Sequence, residues 1–211
     1  MHTSTDPGHD VCQALVRQWA VLAAAIPRLD LTAPTRLPGW TNRELVAHLA
    51  AQPALLARFL ADDPPRRAEM SLADNLAGTA ALAARIDIAA RHAADAGRLD
   101  FAGSVERVLP ALWDADPTRA VVTLQGPIDL ADYLVTRCIE AVVHGLDLVP
   151  PVAPDPAAAA IAAGALLRLL SRRAPHLAAA AAALDQVIWL EAATGRRDLT
   201  GPLGRAVPLL T

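Results

Sequence analysis

The chain contains no lysine: all 19 residues counted as Lys+Arg are arginines, scattered with no basic block. Phosphate neutralisation needs clustered positive charge, so a chain of net charge −3 is not expected to be a dedicated nucleic-acid binder. Aromatic residues make up only 3% of the chain, and the apolar surplus that brings hydrophobic residues to 54% is mostly Ala and Leu. These are strong helix formers, which argues against an all-β sandwich or barrel. Two cysteines, Cys12 and Cys138, are too few for a disulfide framework or a cysteine-rich zinc site, and they suit a reducing cytoplasm. Residues 1–8 lack the basic and apolar regions of a signal peptide. The longest uncharged helical run, over residues 156–167, falls short of the roughly 20 residues that span a membrane. The expectation is a cytoplasmic protein without a membrane partner. No repeat of fixed period is present.

What remains is a length, 211 residues, that supports one core or a domain plus a small annex. Apolar residues at helical spacing (Val11, Leu15, Trp19, Leu22, Ile26) predict a first helix that Pro27 closes. A second helix starts at about Asn42, with Thr41 and Glu44 in capping-box spacing, and stops before Asp62, with Pro53 a potential kink. The pattern predicts a third helix over residues 71–96 with Gly97 after it, and a short helix over 103–118 broken by Pro110 and Pro117. A brief extended piece follows at residues 121–124. Another long helix runs from about Asp129 to Leu148 before a proline-rich linker. Two further helices, over 155–173 and 178–193, precede a tail rich in Gly and Pro. Four long helices joined by loops predict a mainly all-α, four-helix bundle over residues 1–150, with 151–211 as linker and short helical extension.

Glu140 and His144, four apart on a strongly helical segment, project from one face about 6 Å apart along the axis. His48 sits on the second helix, with Glu44 and Gln52 one turn away on either side. If the two helices are neighbours, two imidazoles and a carboxylate converge in the bundle interior. That set suits a divalent transition metal, and three protein ligands leave a coordination position open, as catalytic sites do. The plainer alternative is a surface Glu–His pair beside an ordinary half-buried histidine. The neighbours of the pair, Ile139, Val142, Val143 and Leu146, are apolar. A buried, ionised Glu140 without a partner would cost several kcal/mol, so Arg137 or a metal is expected to neutralise it. Asp147 either accepts the second N–H of His144 or is a solvated helix-end residue. Trp40 reads as a hydrophobic lead-in to the second helix, and Cys138 falls on the far side of its helix from Glu140. His2, His9, His92 and His176 match no motif and are expected in solvent.

Leu37-Pro38-Gly39-Trp40-Thr41, then Glu44-Leu45-Val46-Ala47-His48-Leu49-Ala50, and then the segment from Arg137 to Leu148 resemble the two signature blocks of the mycothiol-dependent maleylpyruvate isomerase family, in the DinB-like metalloenzyme superfamily. The resemblance implies a DinB-like four-helix bundle holding one divalent ion, usually zinc, through His48, Glu140 and His144. It also implies mycothiol as co-substrate, the thiol of actinobacteria, which fits a composition rich in residues with G/C-rich codons. In such enzymes the thiolate adds to the double bond of maleylpyruvate and is eliminated after rotation; relatives transfer the thiol to another electrophile. Arg196, in Thr194-Gly195-Arg196, matches an arginine that helps hold the anionic substrate, although a residue following a glycine helix cap would look the same. Arg137 either pairs with Glu140 or meets the polar groups of the thiol.

The family's full-length isomerases carry a larger C-terminal α/β domain, whereas residues 155–211 are Ala-rich and mostly helical. The resemblance implies a small thiol and a small electrophile as partners, and the expected state is a monomer or homodimer. Two readings compete with the enzyme: a non-catalytic DinB-like module for metal binding or dimerisation, and a non-haem iron site built from the same ligand set.

Overall fold

The fold was analysed in a computed structural model that describes residues 7–116 and 118–210. His2 and Pro117 lie outside them. Helix α1 (Pro7–Ala25) passes into a 3₁₀ turn (Ile26–Arg28) that contains Pro27. Helix α2 (Asn42–Ala61) runs on through Pro53. Then come α3 (Leu72–Gly78), α4 (Ala83–Asp95), α5 (Phe101–Asp114), a hairpin of β1 (Ala120–Thr123) and β2 (Gly126–Asp129), and α6 (Leu130–Asp147). After the proline-rich linker follow α7 (Pro156–Arg173), α8 (Ala178–Ala182), α9 (Gln186–Ala193) and α10 (Gly201–Ala206).

The bundle consists of α1, α2, α5 and α6, which share one apolar cluster built on Leu15, Trp19, Leu45, Leu49, Phe101, Val108, Leu134 and Cys138. Its membership differs from the expectation in one helix. The segment over 71–96 is broken by a 3₁₀ turn at Thr79–Leu82 into α3 and α4, and α4 buries only Ala90 and Ala94. The place in the bundle goes to α5, which is continuous through Pro110. Pro110 and Glu106, whose carbonyl loses its helical partner there, are both exposed, so the gap in the hydrogen-bond ladder faces water. The extended piece is β1, paired antiparallel with an unforeseen β2 in the register Val121↔Ile128.

Helix α6 is apolar on two sides because it separates two cores. Leu134, Cys138 and Ala141 face the bundle, while Val135, Ile139, Val142 and Val143 join a second cluster with α7 and α9. Trp189 of α9 anchors that cluster, its indole N–H donating to the Ala163 carbonyl at 3.0 Å. The helix expected over 178–193 is divided at Asp185, whose carboxylate accepts from the backbone N–H groups of Val187 and Ile188 at 2.9 and 3.1 Å and starts α9.

Candidate metal centre

Two local devices set up the start of α2. Leu37-Pro38-Gly39-Trp40 forms a turn closed by the Trp40 N–H on the Leu37 carbonyl at 3.1 Å, with Gly39 at φ +79°. A type II turn requires a positive φ at its third position, which Gly39 supplies, and favours proline at its second. Thr41 then caps the helix, and Glu44 reaches back to the Thr41 N–H at 2.7 Å. Asn42 fixes the register between helices: fully buried, it donates to the carbonyls of Asp30 and Val149 and accepts from the Val149 N–H at 3.1 Å. The beginning of α2 is thereby tied to the end of α6. Nothing in the sequence singled out Asn42; a polar residue at the first helical position is unremarkable until its distant partner is known.

With the helices so registered, His48 of α2 meets Glu140 and His144 of α6. Nε2 of His48 lies 3.1 Å from Oε2 of Glu140, and Nε2 of His144 lies 3.3 Å from the same oxygen. One donor atom from each residue falls within 4.8 Å of the other two. The imidazoles meet edge to face, with centroids 5.0 Å apart. Asp147, fully buried and not solvated, takes the other side of His144: Oδ2 lies 3.0 Å from Nδ1. Arg196 braces that carboxylate, donating from Nε at 3.1 Å and from Nη2 at 2.8 Å, and a third donor goes to the Thr194 carbonyl. Arg196 is aimed by the end of α9, where Gly195 (φ +79°) and Arg196 donate to the carbonyls of Ala192 and Glu191 in a Schellman motif.

Charges in the group are sharply divided. Burial pushes His48 below the ordinary histidine range, outweighing its hydrogen bond to Glu140. Burial also opposes the charge on His144, but the carboxylates of Asp147 and Glu140 overcome it and raise its pKa to about 9. For Glu140 burial works against ionisation, yet hydrogen bonds from His144 and His48 hold the carboxyl well below its usual range. Asp147 is likewise lowered: burial opposes its ionisation, and His144 and Arg196 override it.

The donor set fits a divalent ion. Tetrahedral zinc with bonds of 2.0–2.1 Å has ligand atoms about 3.3 Å apart, the spacing found between Glu140 and each histidine. A His144 that gives Nδ1–H to a buried carboxylate presents the lone pair of Nε2 to the centre, as metal-binding histidines do. Two cavities open beside the group, of about 230 and 390 Å³, and both are lined by His48 and Glu140. Together they fall inside the range of small-molecule sites, roughly 300–1,000 Å³.

The sequence profile of the mycothiol maleylpyruvate isomerase N-terminal domain matches residues 12–149. The chain belongs to that family. No curated protein and no solved structure matches it. The matched span of this mycothiol maleylpyruvate isomerase N-terminal domain protein runs from within α1 to just past the end of α6 and includes all three residues of the His48–Glu140–His144 group.

The other residues singled out in the sequence divide by position. Arg137 makes no hydrogen bond to Glu140: it donates to Gln52 Oε1 and, at 3.1 Å, to Thr136 Oγ1, and its guanidinium stacks 4.7 Å from the Tyr133 ring centroid. Trp40 does more than lead into α2, since its ring meets His48 edge-on at 5.7 Å and its N–H donates to Asp87 at 2.6 Å. Cys138 is fully buried in the bundle core, away from the group. His9, His92 and His176 are exposed. Gln52, whose Nε2 lies 3.2 Å from Nε2 of His48, was legible only as an i+4 neighbour, with no sign of its link to Arg137.

Proposed function

We propose that the chain is a divalent-metal, mycothiol-dependent enzyme acting on a small electrophile. The reaction is either isomerisation of the maleylpyruvate type, in which the thiol adds and is expelled again, or S-transfer, in which it stays on the product. The observation that carries this reading is the convergence of His48, Glu140 and His144 donors within 4.8 Å, backed by a buried carboxylate, between two cavities. Family membership supplies the thiol.

His48, Glu140 and His144 are the residues that would hold the ion, and zinc is the ion we propose for a two-histidine, one-carboxylate set. When bound, it supplies a Lewis acid with an open position that lowers the pKa of a thiol there, so that the thiolate predominates at neutral pH. Asp147 keeps His144 in the tautomer whose Nε2 faces the centre. Arg196 neutralises Asp147, so that a buried carboxylate can remain ionised beside the ligand; on this reading Arg196 is a positioning residue. Trp40 limits the rotation of His48 from the loop side. Residues 1–150 form the metal-binding unit and 151–211 an extension that contributes Arg196. Two buried free thiols, Cys12 and Cys138, fit a reducing, cytoplasmic setting, and the composition rich in Arg, Ala, Pro and Gly fits an actinobacterial source, with the chain a monomer or homodimer. Among the described residues no helix is long and apolar enough to cross a membrane.

Elemental analysis of the purified protein beside His144→Ala, each then titrated with mycothiol, tests the proposal. The expected result is about one zinc per chain and thiol binding in the wild type, with both lost in the folded variant. A well-folded wild type with neither metal nor thiol binding would show that the fold serves as a binding or dimerisation module instead.

A further inference from the structure

The two cavities beside the His48–Glu140–His144 group differ in chemistry. The larger, about 390 Å³, has its charged side chains already engaged: Arg196 by Asp147 and the Thr194 carbonyl, and Asp87 by Arg91 and the Trp40 indole. Away from Glu140 and His144 of the donor group it offers neutral polar and apolar surface. The smaller, about 230 Å³, is walled by Leu55, Phe59, Leu82, Ile86 and Tyr133, and Leu124 at the hairpin tip, 62% exposed, stands at its edge. Arg137 enters this apolar chamber. Its hydrogen bonds go to neutral partners, Gln52 and Thr136, and its face is held by Tyr133. Among the described residues no carboxylate forms an ion pair with it, whereas Arg196 has Asp147. The guanidinium carries five N–H donors, so positioning by two neutral acceptors leaves part of its fork for an incoming anion, and its charge acts on Glu140 only through space, without an ion pair.

We propose that the smaller cavity is the electrophile site, and that it selects a monocarboxylate with an apolar body, bound through Arg137, while the thiol occupies the larger cavity. The inference rests on the thiol-dependent reading above and deepens it: the substrate anion is met by Arg137 on α6, not by Arg196, and the apolar walls beside Arg137 favour a body without a second charge. Glu140 and His48 line both cavities, so molecules in the two chambers meet at the donor group. Arg85 of α4 also lines the cavity, but it is exposed, so water screens its charge more than that of the part-buried Arg137.

The test uses three inert probes on the full chain, with affinities measured by calorimetry and contacts by saturation-transfer NMR. trans-Cinnamate has the apolar body and one carboxylate, cinnamamide the body without the charge, and fumarate two carboxylates without the body. Cinnamate is expected to bind roughly 10- to 100-fold more tightly than either of the others, the worth of charge-assisted hydrogen bonding on top of apolar burial. Arg137→Gln should lose that advantage while keeping its metal content and mycothiol binding. Ala89→Trp, an exposed position on α4 that lines only the smaller cavity, should exclude cinnamate without touching the core. Arg196→Gln should leave cinnamate affinity within about threefold. Equal affinity for all three probes, or loss of cinnamate in Arg196→Gln with Arg137→Gln unaffected, overturns the proposal. Metal and mycothiol binding are measured on the same samples. Their absence in a wild type that still prefers cinnamate overturns the thiol-enzyme reading alone; their presence without that preference overturns the electrophile site alone.

Discussion

At the scale of single residues, the chemistry of the candidate centre depends on which side chains carry charge before an ion arrives. At pH 7 His144, raised to about 9, holds a proton, His48 is neutral because burial lowers it, and Glu140 is ionised. A divalent ion must displace the His144 proton, so binding at pH 7 is expected to release about one proton per ion. Calorimetry in buffers of different ionisation enthalpy reads that number directly. It should fall towards zero as the pH rises through 9, with apparent affinity climbing until then. Asp147→Asn tests the bracing of His144 by the same measurement. A neutral amide no longer fixes the imidazole by charge and leaves Arg196 without its anion, and ion affinity should drop about 10- to 100-fold in competition with a chromophoric chelator. An unchanged affinity would mean that Asp147 serves only to anchor Arg196.

At the scale of elements, the placement of His48 is decided by how α2 begins. The turn at Gly39, the cap at Thr41 and the bridge from Asn42 to Val149 fall within residues 39–42, and only the first two involve neighbours in sequence. Thr41→Ala removes one side of the capping box and is expected to cost about 1 kcal/mol in denaturant unfolding, with metal content unchanged. Helix α5 carries a different lesson. Pro110 argues for a break when read alone, but a proline whose lost hydrogen bond faces solvent is tolerated, and the buried face of Phe101, Val105, Val108 and Leu112 keeps the helix whole. Helix α4 fails as a bundle member for the opposite reason: its periodicity is helical, but alanines and charges give it too little apolar surface to hold a central place.

At the scale of the whole molecule, the C-terminal helices are joined to the bundle by apolar packing and by charged junctions, Arg196–Asp147 and one centred on Glu191 among them. Leu166 is fully buried between α6 and α9, and Leu166→Ala is expected to destabilise the protein by about 2–5 kcal/mol through lost burial and the cavity left behind. Glu191 joins Arg36 of the loop before α2, at 2.5 Å, to Arg197, at 2.7 Å. Burial opposes the charge on Glu191, but the two arginines win and its pKa is lowered. A lowered carboxyl pKa stabilises the fold above the ordinary glutamate value, about 4.3, and that contribution disappears as the pH falls through the folded-state value. Glu191→Gln should therefore lower Tm by a few degrees at pH 7, and the difference should shrink as the pH falls below the ordinary glutamate value, as thermal scans would show. By itself the sequence determined what depends on near neighbours: a helical class, the cap before α2, and a Glu140–His144 pair on one helical face. These follow from periods of three or four residues and from capping chemistry. Only the tertiary structure decided that His48 reaches Glu140 across 92 residues, that Arg196 is held by Asp147 across 49, and that Arg137 faces an apolar chamber. A side chain's period tells which face it occupies. Which partner that face meets is settled by the packing of whole helices, to which many distant residues each contribute a little.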